Sequence, residues 1–197
     1  MWMFRSSLGS RSDGELLALY AHGDSAAAKE LSRRLLPALM GLGVRMLGDA
    51  TEAEDVVQET MLRLWRMAPD WQDGQAKVST WAYRVAMNLC TDRLRKRRHL
   101  SGGTLDDAPE PMDDAPGAEA RLQDGARHDA LQNALAALPE RQRQAVVLRH
   151  LEGLSNPEIA VIMDIGVEAV ESLSARGRRS LKQALEGRRA ELGYEHG

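Results

Sequence analysis

Aromatic and basic side chains are concentrated in one stretch of this sequence, residues 65–98. Four of the chain's eight aromatic residues lie there: Trp65, Trp71, Trp81 and Tyr83. The stretch ends in a basic run, Arg93–Arg98, in which five of six residues are Lys or Arg. Aromatic faces stack on unpaired bases and a basic run follows phosphates, so this stretch is equipped to hold single-stranded nucleic acid. The same residues would also suit a hydrophobic core and a basic helix C-terminus, and the pattern alone leaves both interpretations open.

A second pattern, near the C-terminus, predicts a helix-turn-helix. Ser155 and Glu158 form a capping box, and Pro157 falls in the first helical turn, where its missing N–H does no harm. A break at residues 164–166 precedes a longer helix that starts at about Val167. The basic residues of this helix, which can neutralise phosphates, are Arg176, Arg178, Arg179 and Lys182. An ordinary helical hairpin is the alternative, but the capping and the turn spacing favour DNA binding.

The sequence has no pattern that supports catalysis. Its five histidines are far apart, and it has no phosphate-binding glycine loop, nucleophile motif or Cys/His metal set. Adjacent Glu54 and Asp55 fit a solvated or partner-binding helix face better than an acid/base pair. Cys90 lies on an apolar stripe and fits a small core residue. We therefore predict a protein that is not an enzyme and that has neither a metal nor a cofactor.

The composition is that of a folded and mostly helical protein. The 197 residues are 43% hydrophobic and 28% charged, which is too apolar for a disordered chain. No stretch approaches the roughly 18 apolar residues of a membrane span, and the N-terminus lacks the apolar core of a signal peptide. The single cysteine excludes an internal disulfide. These features predict a cytoplasmic protein without membrane insertion.

The net charge of −3 conceals an uneven distribution. Residues 1–98 sum to +3, residues 99–127 to −5 and residues 128–197 to −1. The middle segment is rich in Pro and Gly and has almost no large apolar residue, so it cannot bury enough surface to offset the entropy of ordering. We predict an all-α protein of two small helical domains, joined by a flexible acidic linker over 99–127. The second domain contains the helix-turn-helix.

Apolar residues recur at helical spacing on both sides of this linker. Thr51 and Glu54 predict a capping box at the start of a helix whose apolar stripe runs from Ala53 to Leu64. The next helix is predicted from about Ser79 to Arg98. Upstream, the pattern predicts helices over 15–20 and 26–47, interrupted by Gly23 and by the pair Gly41 and Gly43.

Together, these segments resemble bacterial RNA polymerase sigma factors of the extracytoplasmic-function (ECF) type. The strings that carry the resemblance are AEDVVQETMLRLW, STWAYRVAMNLCTDRLRKRR, LPERQRQAVVLRHLEGLSNPEIA and the final helix-turn-helix. The match runs from about Asp13 to Leu185, in the family's order and spacing. It implies that residues 1–98 are sigma domain 2, for core polymerase binding and promoter melting, and that residues 128–197 are sigma domain 4, for binding the upstream promoter element.

The resemblance also implies a role for particular residues. The face that docks on core polymerase would be formed by Asp55, Gln58, Glu59 and Leu62. The promoter element nearest the start site would be engaged and melted by Trp81, Tyr83, Arg84, Asn88, Asp92, Arg95 and Lys96. A flipped base would be captured by a loop containing Asp73, Gly74, Gln75 and Lys77. The upstream element would be contacted by Ser172, Arg176, Arg178 and Arg179.

The last helix departs from the family's pattern. The chain has Val170-Glu171-Ser172-Leu173 where the family commonly has Val-Lys-Ser-Arg, and Asp164 replaces the usual turn glycine. Asp adopts left-handed geometry less readily than Gly but more readily than most residues. Glu171 weakens phosphate attraction but could accept a hydrogen bond from cytosine, so base contacts by Glu171 and Leu173 stay open.

The resemblance implies a sigma factor that directs promoter recognition, strand opening and transcription initiation. Its implied partners are core RNA polymerase, promoter DNA in duplex and melted form, and an anti-sigma factor; no small-molecule substrate is implied. One alternative is a stand-alone helix-turn-helix regulator that binds DNA without polymerase. A helical adaptor that acts only through protein contacts is another. The regulator would leave the polymerase-docking face and the aromatic and basic helix unexplained. The adaptor would show no salt-dependent affinity for promoter DNA.

Overall fold

The computed structural model of this chain describes residues 8–72, 76–100 and 118–186. An N-terminal unit contains α1 (Asp13–Ala21), α2 (Ser25–Leu47), α3 (Ala50–Met67), a 3₁₀ turn (Ala68–Asp70) and α4 (Val78–Leu100). A C-terminal unit contains α5 (Ala118–Ala136), α6 (Glu140–Val146), a π-helical turn (Val147–Leu151), α7 (Asn156–Met163) and α8 (Val167–Glu186). Within the described ranges there is no strand, which confirms the predicted all-α class.

The glycines of α2 do not interrupt it, contrary to the sequence-based prediction. The helix is continuous from Ser25 to Leu47, through Gly41 and Gly43. A Cβ atom on Gly43 would lie 2.8 Å from the Cβ of Ala53 on α3. The missing side chain therefore lets two helices approach closely, and the packing offsets the lower helix propensity of glycine.

Helix starts follow the capping rule, but one predicted cap is wrong. The helix α3 is capped by Asp49, whose Oδ1 accepts a hydrogen bond from the Glu52 N–H at 2.8 Å, and not by Thr51. The capping box of Ser155 and Glu158 at α7 is confirmed. A further box, which the sequence also carries as Ser12 and Glu15, caps α1.

Helical structure reaches into the segment predicted as a linker. The helix α4 ends at Leu100 and α5 begins at Ala118, so both extend inside 99–127. Residues 118–138 contain no proline and are rich in Ala and Leu, a composition that favours a helix. The rest of the predicted linker, 101–117, lies outside the described residues.

One continuous apolar cluster connects the two units. The predicted stripe of α3 is buried and packs with Leu31 and Leu39 of α2. The same cluster includes Leu148 and Ile159 of the C-terminal unit, each fully buried. Burying such a side chain contributes about 1.5–3 kcal/mol. The two units are thus packed together through their cores, and this arrangement determines which functional residues are exposed.

Candidate polymerase and nucleic-acid interface

The outer face of α3 carries the residues predicted to dock on core polymerase. Asp55 and Gln58 are exposed, and the apolar side chain of Leu62 is 49% exposed. Glu59 is half-buried and forms an ion pair with Arg63, with 2.7 Å between Oε1 and Nε. The opposite face of α3 fills the core, and this outer face combines carboxylate, amide and apolar groups, with Asp55 also 3.4 Å from Nη1 of Arg93 on α4.

A row of polar side chains runs along one face of α4. Arg84, Asn88, Asp92 and Arg95 are all exposed, at spacings of three or four residues that align them along the helix. Lys96 is exposed beside them. Four of the seven residues that the resemblance assigns to promoter melting therefore lie along one side of α4.

Tyr83 differs from its predicted neighbours because it is buried. Its ring is 7% exposed, and its hydroxyl donates a hydrogen bond of 3.0 Å to the carboxylate of Glu152. Burial, followed by the negative charge of Glu152, raises the pKa of Tyr83 and keeps the hydroxyl protonated as a donor. In this conformation Tyr83 connects the two units and has no face available for stacking on a base.

The basic run at the end of α4 is divided between two roles. Arg97 donates to the Leu47 carbonyl at 3.0 Å and pairs with Glu52 at 2.7 Å. Arg93 donates to the Glu52 carbonyl at 3.1 Å. These two arginines hold α4 against α2 and α3, a structural role that the sequence analysis missed because the partners lie about forty or more positions away.

Two other members of the run, Arg95 and Arg98, face the C-terminal unit. Arg95 Nη2 lies 3.5 Å from Glu140 Oε1, and Arg98 pairs with the other oxygen of the same carboxylate. Both arginines are 61% exposed at the side chain, so the pairs lie at the rim of the contact between the units.

A cavity of about 480 Å³ adjoins the loop predicted to capture a flipped base. It is lined by Met67, Asp70, Trp71, Gln72, Ala76 and Trp81. The indole N–H of Trp71 is buried and has no hydrogen-bond partner among the described residues. Trp65, in contrast, packs on Tyr20 with ring centroids 4.6 Å apart, in a core role. The cavity thus combines aromatic surface with a carboxylate and an amide.

Only the far end of the predicted base-capture loop lies within the described residues. Asp73, Gly74 and Gln75 lie outside the described residues. Lys77, at the far end of the loop, is exposed, and its Nζ lies 2.8 Å from Glu158 Oε1 of the C-terminal unit.

The helix-turn-helix is formed by α7, a short turn and α8. Asp164 adopts the left-handed conformation at φ 53° and ψ 53°, so aspartate fills the place of the turn glycine. Ser172, Arg176, Arg178 and Arg179 are exposed on α8. The Arg176 Nε donates to the Ser172 carbonyl at 3.2 Å.

The two departures from the family's pattern behave differently in the structure. Glu171 is exposed and accepts a hydrogen bond of 3.2 Å from the side-chain amide of Asn156. Leu173 is half-buried and packs against the core. Leu173 therefore has a packing role, whereas Glu171 is accessible near the start of the predicted recognition helix.

In the ranges that the structure covers, there is no cluster of three or more His, Cys, Asp or Glu residues that could hold a metal ion. Cys90 is fully buried and is a core residue. Its burial raises the pKa of the thiol to about 12. Over the same ranges, no helix is both long and apolar enough to cross a bilayer.

Comparisons with known proteins identify both units. Residues 31–100 match the family described as Sigma-70 region 2, and residues 128–181 match Sigma-70, region 4. The ECF RNA polymerase sigma factor SigE of Mycolicibacterium smegmatis is 35% identical over 173 residues, which are 84% of this chain and 65% of that protein. The ECF RNA polymerase sigma factor SigM of Mycobacterium tuberculosis is 33% identical, over 89% of this chain and 85% of that protein.

Solved structures agree with these matches. CnrH, in complex with the cytosolic domain of CnrY, is similar with a TM-score of 0.68 and 29% identity, covering 90% of this chain and 99% of that one. RpoE of Bartonella quintana, in complex with the anti-sigma factor NepR, is similar with a TM-score of 0.64 and 25% identity. That match covers 80% of this chain and 96% of RpoE.

Regions 2 and 4, in this order and on two helical units, define a sigma-70-type transcription initiation factor. Within that class, the chain belongs to the ECF RNA polymerase sigma factors. Membership confirms the resemblance predicted from the sequence. It also favours a sigma factor over the stand-alone helix-turn-helix regulator, because region 2 has no part in the latter.

Proposed function

We propose that this chain docks on core RNA polymerase through the outer face of α3 and melts promoter DNA with α4. The observation that carries the proposal is the exposed Leu62, which is surrounded by Asp55, Gln58 and Glu59 on a helix whose other face is buried. An apolar centre with a polar rim is the usual composition of a protein interface. A partner surface that carries basic and apolar groups would be complementary to both the apolar centre and the acidic rim of this face.

The DNA-binding roles follow from what each helix presents. Arg84, Asn88 and Arg95 on α4 supply cations and an amide for a melted strand, and Lys96 adds a cation beside them. The cavity lined by Trp71 and Trp81 would accept an unstacked base, for which Asp70 and Gln72 supply polar groups. The exposed arginines of α8 would contact phosphates of duplex DNA at the upstream element.

The remaining parts of the proposal concern assembly and regulation. We extend to this chain the kind of partner seen with RpoE of Bartonella quintana, an anti-sigma factor. We propose domain 2 over 1–98 and domain 4 over 128–197, separated by the acidic segment 99–127. The protein is proposed to act in the cytoplasm, where core polymerase is found, and to have no enzymatic activity of its own.

Reconstituted transcription tests the function. The chain is mixed with core RNA polymerase and a library of genomic fragments, and the RNA start sites are mapped. A sigma factor produces discrete starts that depend on the chain, whereas a regulator that binds DNA alone leaves core polymerase without specific initiation.

A double variant tests the docking face. Asp55→Ala with Gln58→Ala should weaken binding to core polymerase by about tenfold, because it removes a carboxylate and an amide that would contact the basic groups of the partner surface. Gln183→Ala with Glu186→Ala is the matched control, since it removes an amide and a carboxylate at the same spacing from the exposed face of α8. Equal affinities of the two variants in a pull-down titration would move the docking face elsewhere.

A further inference from the structure

The exposed side chains of α8 change charge along the helix. Its first half, residues 167–175, carries two exposed acids, Glu168 and Glu171, and contains no Lys or Arg. The cations follow in the second half: Arg176, Arg178, Arg179 and Lys182. Because phosphates attract cations and repel carboxylates, only the second half of α8 is suited to the DNA backbone. The first half must meet something other than phosphate.

The carboxylate of Glu171 is held from the first helix of the motif. Asn156, the first residue of α7, donates a hydrogen bond of 3.2 Å from Nδ2 of its side chain to Oε1 of Glu171. Asn156 is half-buried, whereas Glu171 is exposed. Among the described residues, the other oxygen, Oε2, has no hydrogen-bond partner. One oxygen thus fixes the side chain and the other is an available acceptor, an arrangement that lowers the entropy cost of binding.

The neighbouring positions on α8 leave room beside this carboxylate. Ala175 lies one turn further along the helix, on the same face as Glu171, and is exposed. Leu173, the nearest large apolar residue, is half-buried and packs against the core. A methyl group at position 175 lets a flat surface such as the edge of a base pair approach the helix within reach of Oε2.

The place of Glu171 in the motif indicates what it would face. In a helix-turn-helix, the second helix lies in the major groove with its N-terminal residues at the base edges. Glu171 is the fifth residue of α8, which begins at Val167. The first cation of α8, Arg176, comes more than a turn later. Glu171 therefore lies in the part of α8 that faces base edges.

An ionised carboxylate only accepts hydrogen bonds, which restricts the base that Glu171 can read. In the major groove, guanine presents two acceptors, and thymine presents an acceptor and a methyl group. Adenine presents an amino donor beside the acceptor N7, which repels a carboxylate. Cytosine presents only the amino donor at N4. Cytosine is therefore the base whose edge complements Glu171 best.

We propose that Glu171, positioned by Asn156, selects a cytosine in the upstream promoter element, while the cations in the second half of α8 contact phosphates. The inference rests on the proposed binding of duplex DNA by α8 and adds the base that this helix prefers. Asn156 is a positioning residue, because it acts on the base through the carboxylate of Glu171.

Reconstituted transcription with a randomised upstream element tests this selection. The full chain is combined with core RNA polymerase and a promoter mapped with the wild-type chain. Each template carries a transcribed barcode that identifies its upstream element, so sequencing the RNA gives the base preference at every position. The variants are Glu171→Gln and Asn156→Ala. The matched control is Glu186→Gln, which makes the same charge change at the last residue of α8.

The wild-type chain and the control should favour cytosine at one position of the element by about tenfold, as expected for a good base contact. Glu171→Gln should shift the preference at this position to adenine, because a glutamine amide pairs with N6 and N7 of adenine. Asn156→Ala should reduce the cytosine preference by about threefold or more, with the preferences at other positions unchanged.

An acid that merely repels phosphate would give a different result. Glu171→Gln would then increase transcription from all elements alike, with the same base preferences as the wild-type chain. That outcome, or a wild-type preference without cytosine, would overturn the selection, and an unchanged preference in Asn156→Ala would overturn the positioning role. Absence of specific initiation with every element would count against the proposed function instead.

Discussion

A single backbone conformation marks the turn of the helix-turn-helix. Among the described residues, Asp164 is the one non-glycine residue with positive φ, and its N–H closes the end of α7 by donating to the Ala160 carbonyl. Left-handed geometry costs a typical L-residue roughly 1–2 kcal/mol, and Asp tolerates it better than most. The sequence alone therefore allowed this conformation to be anticipated from the position of Asp164 in the motif.

Substitutions at Asp164 should separate backbone strain from side-chain loss. Asp164→Ala should reduce the free energy of unfolding by about 1–2 kcal/mol relative to Asp164→Gly, because both remove the carboxylate but only glycine adopts this φ without strain. Chemical denaturation followed by circular dichroism measures the difference. Equal stabilities would mean that the turn relaxes to another conformation.

At the scale of elements, some pairs of helices approach closely only because one of them has a glycine at the contact. In a sequence, such a glycine is easily interpreted as a helix break. Gly177 lies where α8 meets α6: a Cβ there would be 2.5 Å from Val146 Cγ2 and 3.1 Å from the Gln142 carbonyl oxygen. Gly125, within α5, has no such neighbour within 4 Å. The two glycines look alike in the sequence, and only the packing distinguishes them.

Alanine at these two glycines should change stability in opposite directions. Gly177→Ala should lower the free energy of unfolding by about 1–3 kcal/mol, because the helices must move apart to admit a methyl group. Gly125→Ala should raise it by up to about 1 kcal/mol through helix propensity alone. Denaturation midpoints of the two variants provide the measurement, and stabilisation by both would contradict the packing of α6 on α8.

Local patterns predicted the elements better than their ends and their partners. The apolar stripe of α3 is strictly periodic, so its buried face followed directly from spacing. Its cap did not, because Asp49 and Thr51 are both good capping residues and only the backbone path selects Asp49. The pairs of Lys77 with Glu158 and of Tyr83 with Glu152 join positions 81 and 69 residues apart, beyond the reach of any local pattern.

At the scale of the whole molecule, Glu158 couples a helix start to the other unit. The hydrogen bond from Lys77, followed by those from Ser155, lowers the pKa of this carboxyl from an ordinary 4.5 to about 2. The pKa of Lys77 is raised by the same contact. Because a lowered pKa means stability that is present above the ordinary pKa, the pair of Glu158 with Lys77 stabilises the contact between the units fully above about pH 4.5, and this contribution is lost as the pH falls towards 2.

Carboxyl titration by NMR should therefore detect the contact between the two units. Lys77→Gln should raise the pKa of Glu158 from about 2 towards 4.5, because its largest stabilising contact is removed. Lys29→Gln, an exposed lysine on α2, should leave the titration unchanged. A Glu158 titration that ignores Lys77 would show that the units are apart in solution.

The buried Cys90 has a practical consequence for such measurements. Alkylating reagents attack the thiolate, and this thiol is both enclosed in the core of the N-terminal unit and held protonated at neutral pH. A cysteine placed on the surface could thus carry a fluorophore or spin label with the native thiol left in place. The chain, with its single natural cysteine, is already suited to measuring the distance between its two units with one added label pair.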